Sequence, residues 1–329
     1  MYDINIDYNT IELYKAVKYK TYDILDVLLK KQRYKNTIND FLILKYTILQ
    51  DDYISLIKFI DKGFDINIID SFGYTLLRYA VENNCIRVSK LLLENGFRIS
   101  TNDYILLFTA IHNRNIEIID LLIIHGINVD AVDLKGYNAL YYAVRSNDNA
   151  IVSFLLIKGA SIETVNKYSL LHYLVTSRNT MNTLTTLLEY GADTDLIDNF
   201  KAPIHTAVEY NNNEAVLKFI NKNVDINVAD SLIGLTPLHY AIKQHNYEVS
   251  VILIKNGADV NKKDNNENTP LFSAVKINDI KFTKLLLDNG AILNVSNILG
   301  ETPVEVAINN NCFNIVEFIM EYFKNSNDI

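Results

Sequence analysis

The 329-residue sequence has no tryptophan, only two cysteines, and few of the residues that make turns: four prolines and eleven glycines. A fold of many short strands needs turn residues at regular intervals, so this shortage argues against an all-β protein and favours a helical one. Two cysteines in so long a chain also exclude a disulfide-stapled fold and indicate a reducing compartment. Apolar residues nevertheless make up 49% of the chain, which is ample for a core.

Positive charge and long apolar runs are scarce as well. The formal net charge is −8 and the pI is about 5.3, the opposite of the basic surface that binds nucleic acids, so we expect no nucleic-acid partner. The best candidate for a membrane span, 41–49, contains Lys45 and stops at Asp51 and Asp52, so we expect no membrane helix. The first seven residues include two acids and lack the apolar run of a secretion signal.

The sequence repeats itself. The run Thr-Pro-Leu at 236–238 recurs at 269–271, and the pair Gly-Ala at 257–258 recurs at 290–291, in both cases 33 residues on. A first register mark, usually Ala, falls at Ala16, Thr47, Ala80, Ala110, Ala143, Leu174, Ala207, Ala241, Ala274 and Ala307. A second mark falls at Gly63, Gly96, Gly126, Gly159, Gly191, Asn223, Gly257 and Gly290. Two marks that stay in phase along the chain indicate a tandem-repeat protein.

Each repeat reads as a pair of helices. Thr236 followed by Pro237 suits the N-cap and first residue of a helix. Leu238 and Ala241 share one face of that helix, and the small Ala lets neighbouring backbones approach closely. Gly257 can adopt the left-handed conformation that ends the second helix. We therefore expect every second helix to end near the second register mark.

The period, the run Thr-Pro-Leu-His-x-Ala at 236–241 and the run Gly-Ala-Asp-Val-Asn at 257–261 resemble the ankyrin repeat. The resemblance extends from 10 to 324 and implies an all-α fold, an ankyrin-repeat solenoid of about ten helix-turn-helix repeats with short β-hairpin fingers. It implies a single solenoid over 1–329. The expected repeats are 9–36, 37–69, 70–102, 103–132, 133–165, 166–197, 198–229, 230–263, 264–296 and 297–324.

Two repeats depart from the pattern, and the two end repeats must cap the stack. Repeat four lacks three residues before Ala110, so its finger should be short, and repeat six has an extra residue between its helices. End repeats need a polar outer side. The residues available for this are Lys15, Lys18 and Lys20 in repeat one, and Asn309, Asn310, Glu317 and Glu321 in repeat ten.

Three histidines, His172, His205 and His239, occupy the same position in consecutive repeats. Stacked helices lie roughly 8–10 Å apart, whereas a Zn–N bond is about 2 Å long, so one metal ion cannot bind all three. We expect each histidine to tie the finger to its own helix. We expect no metal or other cofactor.

The remaining chemistry points away from catalysis. Cys85 and Cys312 both lie in turns between helices, seven repeats apart and too far to pair. Apart from His112, no histidine lies near enough to either to serve as its base. The phosphate-binding and metalloprotease motifs are absent. We therefore expect no enzyme and no small-molecule substrate.

The family resemblance implies that a protein partner binds to the finger tips and inner helices. The candidate contact residues are Phe72, Tyr74, Leu134, Tyr137, Phe200, Leu232, Ile233 and Leu235 at the tips and Tyr210 on an inner helix. Exposed apolar tips are unfavourable unless they pack or bind. The alternative, that each tip folds onto its neighbour, stays open at this point.

The abundance of Ile, Asn, Lys and Tyr, and the degenerate first repeats, resemble the ankyrin proteins of poxviruses. Many of those end in an F-box-like segment, for which the residues after Lys324 leave no room. The resemblance implies a host-range or immune-modulating factor, monomeric and in the host cytoplasm, that binds a host protein. The alternative is an intracellular scaffold of a non-viral organism with an AT-rich genome.

Enzymes that hydroxylate asparagine in ankyrin proteins favour an Asn preceded by Asp-Val or Asp-Ile, with Leu eight residues upstream. Asn261 follows Asp259 and Val260 and has Leu253 at that distance. Two other asparagines, Asn67 and Asn227, have phenylalanine there instead. The resemblance therefore implies that Asn261 is a hydroxylation site.

Overall fold

A computed structural model describes residues 8–30, 38–100, 103–162 and 169–326 of the chain. These residues form twenty α-helices in ten consecutive pairs and one short 3₁₀ helix, Arg178–Thr180. The pairs are α1 Tyr8–Lys18 and α2 Tyr22–Lys30; α3 Ile38–Leu49 and α4 Tyr53–Asp61; α5 Leu76–Glu82 and α6 Ile86–Glu94; α7 Tyr104–His112 and α8 Ile116–Ile124; α9 Ala139–Arg145 and α10 Asn149–Ile157; α11 Leu170–Val175 and α12 Met181–Glu189; α13 Pro203–Glu209 and α14 Asn213–Asn221; α15 Pro237–Lys243 and α16 Tyr247–Lys255; α17 Pro270–Lys276 and α18 Ile280–Asp288; α19 Pro303–Asn309 and α20 Phe313–Ser326.

The chain divides into two compact units, Met1–Asn166 and Lys167–Ile329. The first holds α1–α10 and the second α11–α20. Within each unit, the first helix of a pair packs against its partner and against the first helix of the next pair. The all-α repeat architecture is confirmed. The single solenoid over 1–329 and the individual repeat bounds stay predictions.

Repeat eight shows why these residues form helix pairs. The Thr236 hydroxyl accepts a hydrogen bond from the backbone N–H of His239 at the start of α15, and Pro237 is its first residue. Asn246 caps α16 in the same way by accepting from the Val249 N–H at 3.0 Å. Two residues after α16 ends, Gly257 has φ +93. In repeat seven Asn223 takes the same left-handed conformation, φ +58, so Asn replaces Gly at the one mark that lacks it.

The first register mark lies at the centre of the core. Nine of the ten mark residues have no measurable exposure and Ala16 has almost none. A small side chain at this position allows adjacent first helices to pack closely. Leu174 is buried as fully as the alanines.

The departures predicted for repeats four and six are present. Helix α7 follows α6 after residues 95–103, of which 101–102 lie outside the described part, whereas 256–269 separate α16 from α17. In repeat six, residues 176–180 link the two helices and contain the 3₁₀ turn. The hairpins of the fingers are short: among the described residues they consist of isolated antiparallel bridges, Ile69 to Thr75 and Asp198 to Lys201.

Candidate interaction surface

A finger is the segment between the second helix of one repeat and the first helix of the next, and its turn is fixed by a side chain rather than by strands. Asp70 accepts backbone N–H bonds from Phe72 and Tyr74, both at 2.9 Å. Carboxylates or amides do the same at Asp133, Asp264 and Asn297. Such local bonds satisfy the turn without a strand partner.

Asp230 in the finger of repeat eight has the richest set of partners. It accepts from the N–H groups of the four residues that follow Ser231, at 2.8–3.3 Å. The Tyr240 hydroxyl donates to its second oxygen at 3.0 Å. Burial opposes ionisation of Asp230, but the hydrogen bonds outweigh it and lower its pKa. The finger is therefore anchored to the first helix of its own repeat.

The same tyrosine anchor occurs in the first unit. Tyr79 donates to Asp70 at 2.7 Å and Tyr142 donates to Asp133. Burial, followed by this bond, raises the pKa of Tyr142 to about 12. These tyrosines directly precede the first register mark, a position that sequence reasoning did not connect with the fingers.

The four fingers of repeats seven to ten are also joined to one another by backbone hydrogen bonds. Ser231 donates to the Phe200 carbonyl at 2.9 Å, Asn265 to Ile233 at 3.0 Å, and Ile298 to Asn266 at 3.1 Å. Gly234 is required at the second junction, because a Cβ there would lie 2.4 Å from the Asn265 side chain. The backbone of this row is therefore fixed before any partner arrives.

The predicted contact residues differ in exposure. Leu134 is 99% exposed at its finger tip, and the other exposed candidates are Phe72, Phe200, Tyr210, Leu232 and Ile233. Tyr74 and Tyr137 are half-buried, the first under the Arg78 guanidinium at 3.6 Å and the second stacked on Tyr141 at 3.9 Å.

Leu235 was predicted at a tip, and this was wrong. Its side chain is only 4% exposed. Its carbonyl accepts from the Asp230 N–H at 2.9 Å and from His205 Nε2 at 3.0 Å. These bonds turn the end of the finger inward, so Leu235 belongs to the core.

A second group of aromatic residues lies on the first helices of the first unit and was missed. Lys45 lies 3.9 Å from the centre of the Tyr79 ring, and Phe108 and Tyr142 have ring centres 4.8 Å apart. An apolar groove of about 390 Å³ is lined by Thr10, Ile11, Tyr14, Leu42, Ile43, Lys45, Tyr46 and Leu49. The signal in the sequence is an aromatic residue one or two places before the register mark in each of repeats one to five.

The histidine row links neighbouring repeats. Nε2 of His172, His205 and His239 lies 2.8, 3.0 and 3.2 Å from a carbonyl in the following finger, and a carbonyl can only accept, so Nε2 carries the proton. Nδ1 of His205 and His239 accepts from a backbone N–H at its own helix start. The prediction that a histidine ties a finger to its own helix is confirmed for His205 and His239, and the finger is the one that follows that helix. Among the described residues no cluster of potential ligands could hold a metal ion.

The two cysteines are buried and free. Burial, assisted by Asp51, raises the pKa of the Cys85 thiol to about 11. The thiol therefore stays protonated at neutral pH, which makes it a poor nucleophile.

Three asparagines, each in the first half of a finger, tie that finger to the residues just after the next second helix. The Asn261 amide donates to the Gly290 carbonyl at 3.0 Å and accepts from the Ile292 N–H at 2.9 Å. Asn67 and Asn227 make equivalent pairs of bonds. The predicted hydroxylation site is therefore a structural link between repeats.

Comparison with known proteins gives the chain its family. A family model described as "Ankyrin repeats (3 copies)" matches residues 101–166, 171–264 and 253–328. The chain is 46% identical over 218 residues to the putative ankyrin repeat protein FPV034 of fowlpox virus, covering 66% of this chain and 52% of that protein. It is 31% identical over 152 residues to FPV244 of the same virus, covering 45% and 22%. It is 30% identical over 146 residues to the ankyrin repeat protein nuc-2 of Neurospora crassa, covering 42% and 13%.

The chain thus spans about half the length of the first of these relatives and less of the others. Within the ranges that the structure describes, no helix is long and apolar enough to cross a bilayer. The matched segments cover more than half of the chain and lie over the helix pairs from α7 to α20. The chain belongs to the ankyrin-repeat family, a fold for protein–protein interaction, and is similar to ankyrin repeat proteins of poxviruses.

Proposed function

We propose that this chain is a non-enzymatic module that binds another protein through its finger surface, meaning the finger tips together with the exposed sides of the first helices. The observation that carries the proposal is Phe200. Its side chain is 55% exposed and its backbone has φ +69, a conformation that costs a bulky residue roughly 1–2 kcal/mol relative to the right-handed regions. An exposed residue with a strained backbone conformation contributes little to folding stability, and this supports a role in binding.

The neighbouring tips support the same interpretation. Leu232 is 61% exposed although its backbone N–H is held by Asp230. Leu299 is 75% exposed in the finger of repeat ten. Polar side chains would serve these turns equally well, and exposed apolar groups on a rigid frame are what a protein partner can bury at low entropic cost.

The similarity to fowlpox proteins supports a viral role. In this proposal the chain acts inside the infected cell, in the cytoplasm, and occupies a host protein in order to widen host range or blunt an immune response. The similarity to a fungal ankyrin protein supports the second candidate, an intracellular scaffold. The genes that flank the coding sequence distinguish the two, because viral core genes would favour the first.

Changing Leu232 and Ile233 together to Ser should weaken partner capture at least tenfold, or about 1.4 kcal/mol. The free energy of unfolding should change by less than about 0.5 kcal/mol, because both side chains are exposed. The turn itself is held through backbone N–H groups, which Ser retains. The measurement is a thermal melt beside a pull-down from host-cell lysate, with captured proteins quantified by mass spectrometry.

A matched control comes from the second helices of the same unit. Leu217 on α14 and Ile280 on α18 are comparably exposed but lie outside the finger surface. Changing both to Ser should leave capture unaltered. Equal losses for the two double variants, or a large drop in melting temperature for the first, would contradict the assignment of the interface to the fingers.

The hydroxylation of Asn261 is a separate proposal. The nitrogen and the oxygen of its side-chain amide both form hydrogen bonds, and Leu253 is fully buried. An enzyme that contacts both residues therefore needs repeat eight to open locally. We expect mass spectrometry to find one added oxygen on Asn261 after incubation with an ankyrin-directed asparaginyl hydroxylase, and far less on Asn67 and Asn227. A synthetic peptide spanning Leu253 to Asn261 serves as the unfolded control. An unmodified Asn261 in both peptide and protein would refute the proposal.

A further inference from the structure

Three asparagines of this chain are followed directly by glycine, and all three occupy the same position of the repeat. Each is the first residue after a second helix, in repeats three, eight and nine, and each is exposed. The pairs are Asn95–Gly96, Asn256–Gly257 and Asn289–Gly290. The backbone nitrogen that follows an asparagine attacks its side chain most readily when it belongs to glycine, because glycine has no side chain to obstruct the approach.

The asparagine side chains of these pairs cap the ends of their helices. Each amide nitrogen donates to the carbonyl four residues before it, at 2.8 Å for Asn95, 2.8 Å for Asn256 and 2.7 Å for Asn289. In repeats eight and nine the glycine N–H is bonded as well, because Gly257 and Gly290 each donate to the carbonyl three residues before them at 3.1 Å. While these bonds hold, the amide cannot turn toward the glycine nitrogen, and that nitrogen keeps its proton.

The same three glycines receive the links between successive fingers. The carbonyl of each accepts from the amide of an asparagine in the preceding finger, and that asparagine accepts in turn from the N–H two residues after the glycine. The links join Asn67 to Gly96, Asn227 to Gly257 and Asn261 to Gly290. A change in the backbone just before one of these glycines therefore acts directly on a link.

We propose that Asn95, Asn256 and Asn289 are sites of spontaneous deamidation, that each reacts only when the end of its helix opens, and that the product breaks the link between successive fingers. The reaction needs water and no enzyme. It is independent of the binding of a partner to the finger surface.

The reaction begins when the glycine backbone nitrogen loses its proton and forms a bond to the side-chain carbon Cγ of the asparagine. The bond between Cγ and Nδ2 breaks, and Nδ2 leaves with that proton as ammonia, so a cyclic imide remains. Water then opens the imide at either of its carbonyls. Opening at the side-chain carbonyl gives aspartate, whereas opening at the main-chain carbonyl gives isoaspartate, in which the backbone runs through Cβ and Cγ.

Both products are unfavourable at this position. A carboxylate cannot donate to the helix carbonyl that the amide held, and a negative charge is disfavoured at the C-terminal end of a helix. Isoaspartate also lengthens the main chain by one carbon directly before the glycine. The glycine carbonyl and the N–H two residues later then no longer both meet the asparagine of the preceding finger, so we expect each modified junction to loosen.

The first test compares the folded chain with the chain unfolded in guanidinium chloride, both held in mildly alkaline buffer and sampled for peptide mass spectrometry. The Asn-Gly sites should convert from amide to carboxyl readily in the unfolded chain and slower by about a factor of ten or more in the folded chain. Asn83 and Asn310 are internal controls, because their amides cap first helices in the same way but precede asparagine. They should react far more slowly than the Asn-Gly sites in the unfolded chain.

The second test removes one link. Asn261→Ala should raise the rate at Asn289 in the folded chain roughly fivefold, because the end of α18 loses the two hydrogen bonds that Asn261 makes. The rate at Asn95, in the other unit, should stay unchanged. Asn266→Ala is the matched control, because Asn266 is exposed in the same finger and bonds through its backbone, so it should alter neither rate.

The effect of the product on the link is read from amide hydrogen exchange at Ile292, whose N–H donates to Asn261 at 2.9 Å. Exchange there should be faster in chains modified at Asn289 than in unmodified chains. Equal rates of deamidation in the folded and unfolded chains, or no reaction at Asn289 in either folded chain, would overturn the proposal. So would an equal rise at Asn95 and Asn289 in Asn261→Ala, or exchange at Ile292 that the modification leaves unchanged.

Discussion

Acidification from about pH 7 to about pH 4 should remove about 3 kcal/mol of stability from the second unit through His239 alone. Burial, only partly offset by the bond to the Asn268 carbonyl, lowers the pKa of His239 from 6.5 to about 4. The unfolded chain therefore binds this proton near pH 6.5, and the folded chain binds it only near pH 4. The stability contributed by the neutral His239 is fully present above pH 6.5 and is lost as the pH falls from 6.5 to about 4.

The structural reason lies at the two ring nitrogens. Nε2 donates to the next finger and Nδ1 accepts from the N–H and hydroxyl of Thr236. A proton on Nδ1 would face the Thr236 N–H, and a charge would be buried without a counterion in contact. Burial also lowers the pKa of His205 and His172, so the three histidines act in the same direction.

Urea unfolding of the wild type and of His239→Gln at about pH 7 and about pH 5 isolates the contribution of His239, because the carboxylates change stability with pH equally in the two proteins. Gln cannot titrate, so the variant should lose roughly 2 kcal/mol less than the wild type over this interval. Equal losses would mean that His239 does not couple proton binding to folding.

The helices could be predicted from the sequence because their causes are local. Thr-Pro at 236–237 and Gly257 act through the capping and backbone preferences of the residues themselves, and Asn223 replaces Gly for the same reason. The phase of these marks predicts the helix pairs without any knowledge of packing.

The contact surface was harder to predict because it depends on bonds between repeats. Nothing local shows that Leu232 stays exposed while Leu235 turns into the core, since this follows from the bonds between Asp230, Leu235 and His205. The sequence predicts which residues are apolar, and packing between repeats decides which of them are available to a partner.

At Phe200 a substitution should change stability and binding affinity in opposite directions, which allows the two roles to be separated. Asn199 and Phe200 both have positive φ, and the bonds between Asp198 and Lys201 close a two-residue turn around them. Such turns favour Asn-Gly, because Gly has no Cβ to strain at the second position. Replacing Phe200 with Gly relieves backbone strain in the folded chain, which raises the free energy of unfolding. Gly also has more conformational entropy in the unfolded chain, which offsets part of this gain. We expect the free energy of unfolding to stay the same or rise by up to about 1 kcal/mol.

The same change removes an aromatic ring from the proposed interface. Aromatic residues in such positions commonly contribute about 2 kcal/mol or more to binding, which corresponds to a loss of affinity of roughly thirtyfold or more. Phe200→Ala is the matched control. It removes the ring but keeps a Cβ at positive φ, so it should lose the same affinity without the gain in stability.

The most direct test of the central claim, that the exposed apolar finger tips serve binding rather than folding, is to measure Phe200→Gly by urea unfolding and by partner capture in the same preparation. We expect a Phe200→Gly chain that is at least as stable as the wild type and captures its partner roughly thirtyfold less well. A Phe200→Gly chain that unfolds more easily than the wild type while capture remains unchanged would contradict the claim, because Phe200 would then be a packing residue and the finger tips would not be the interface.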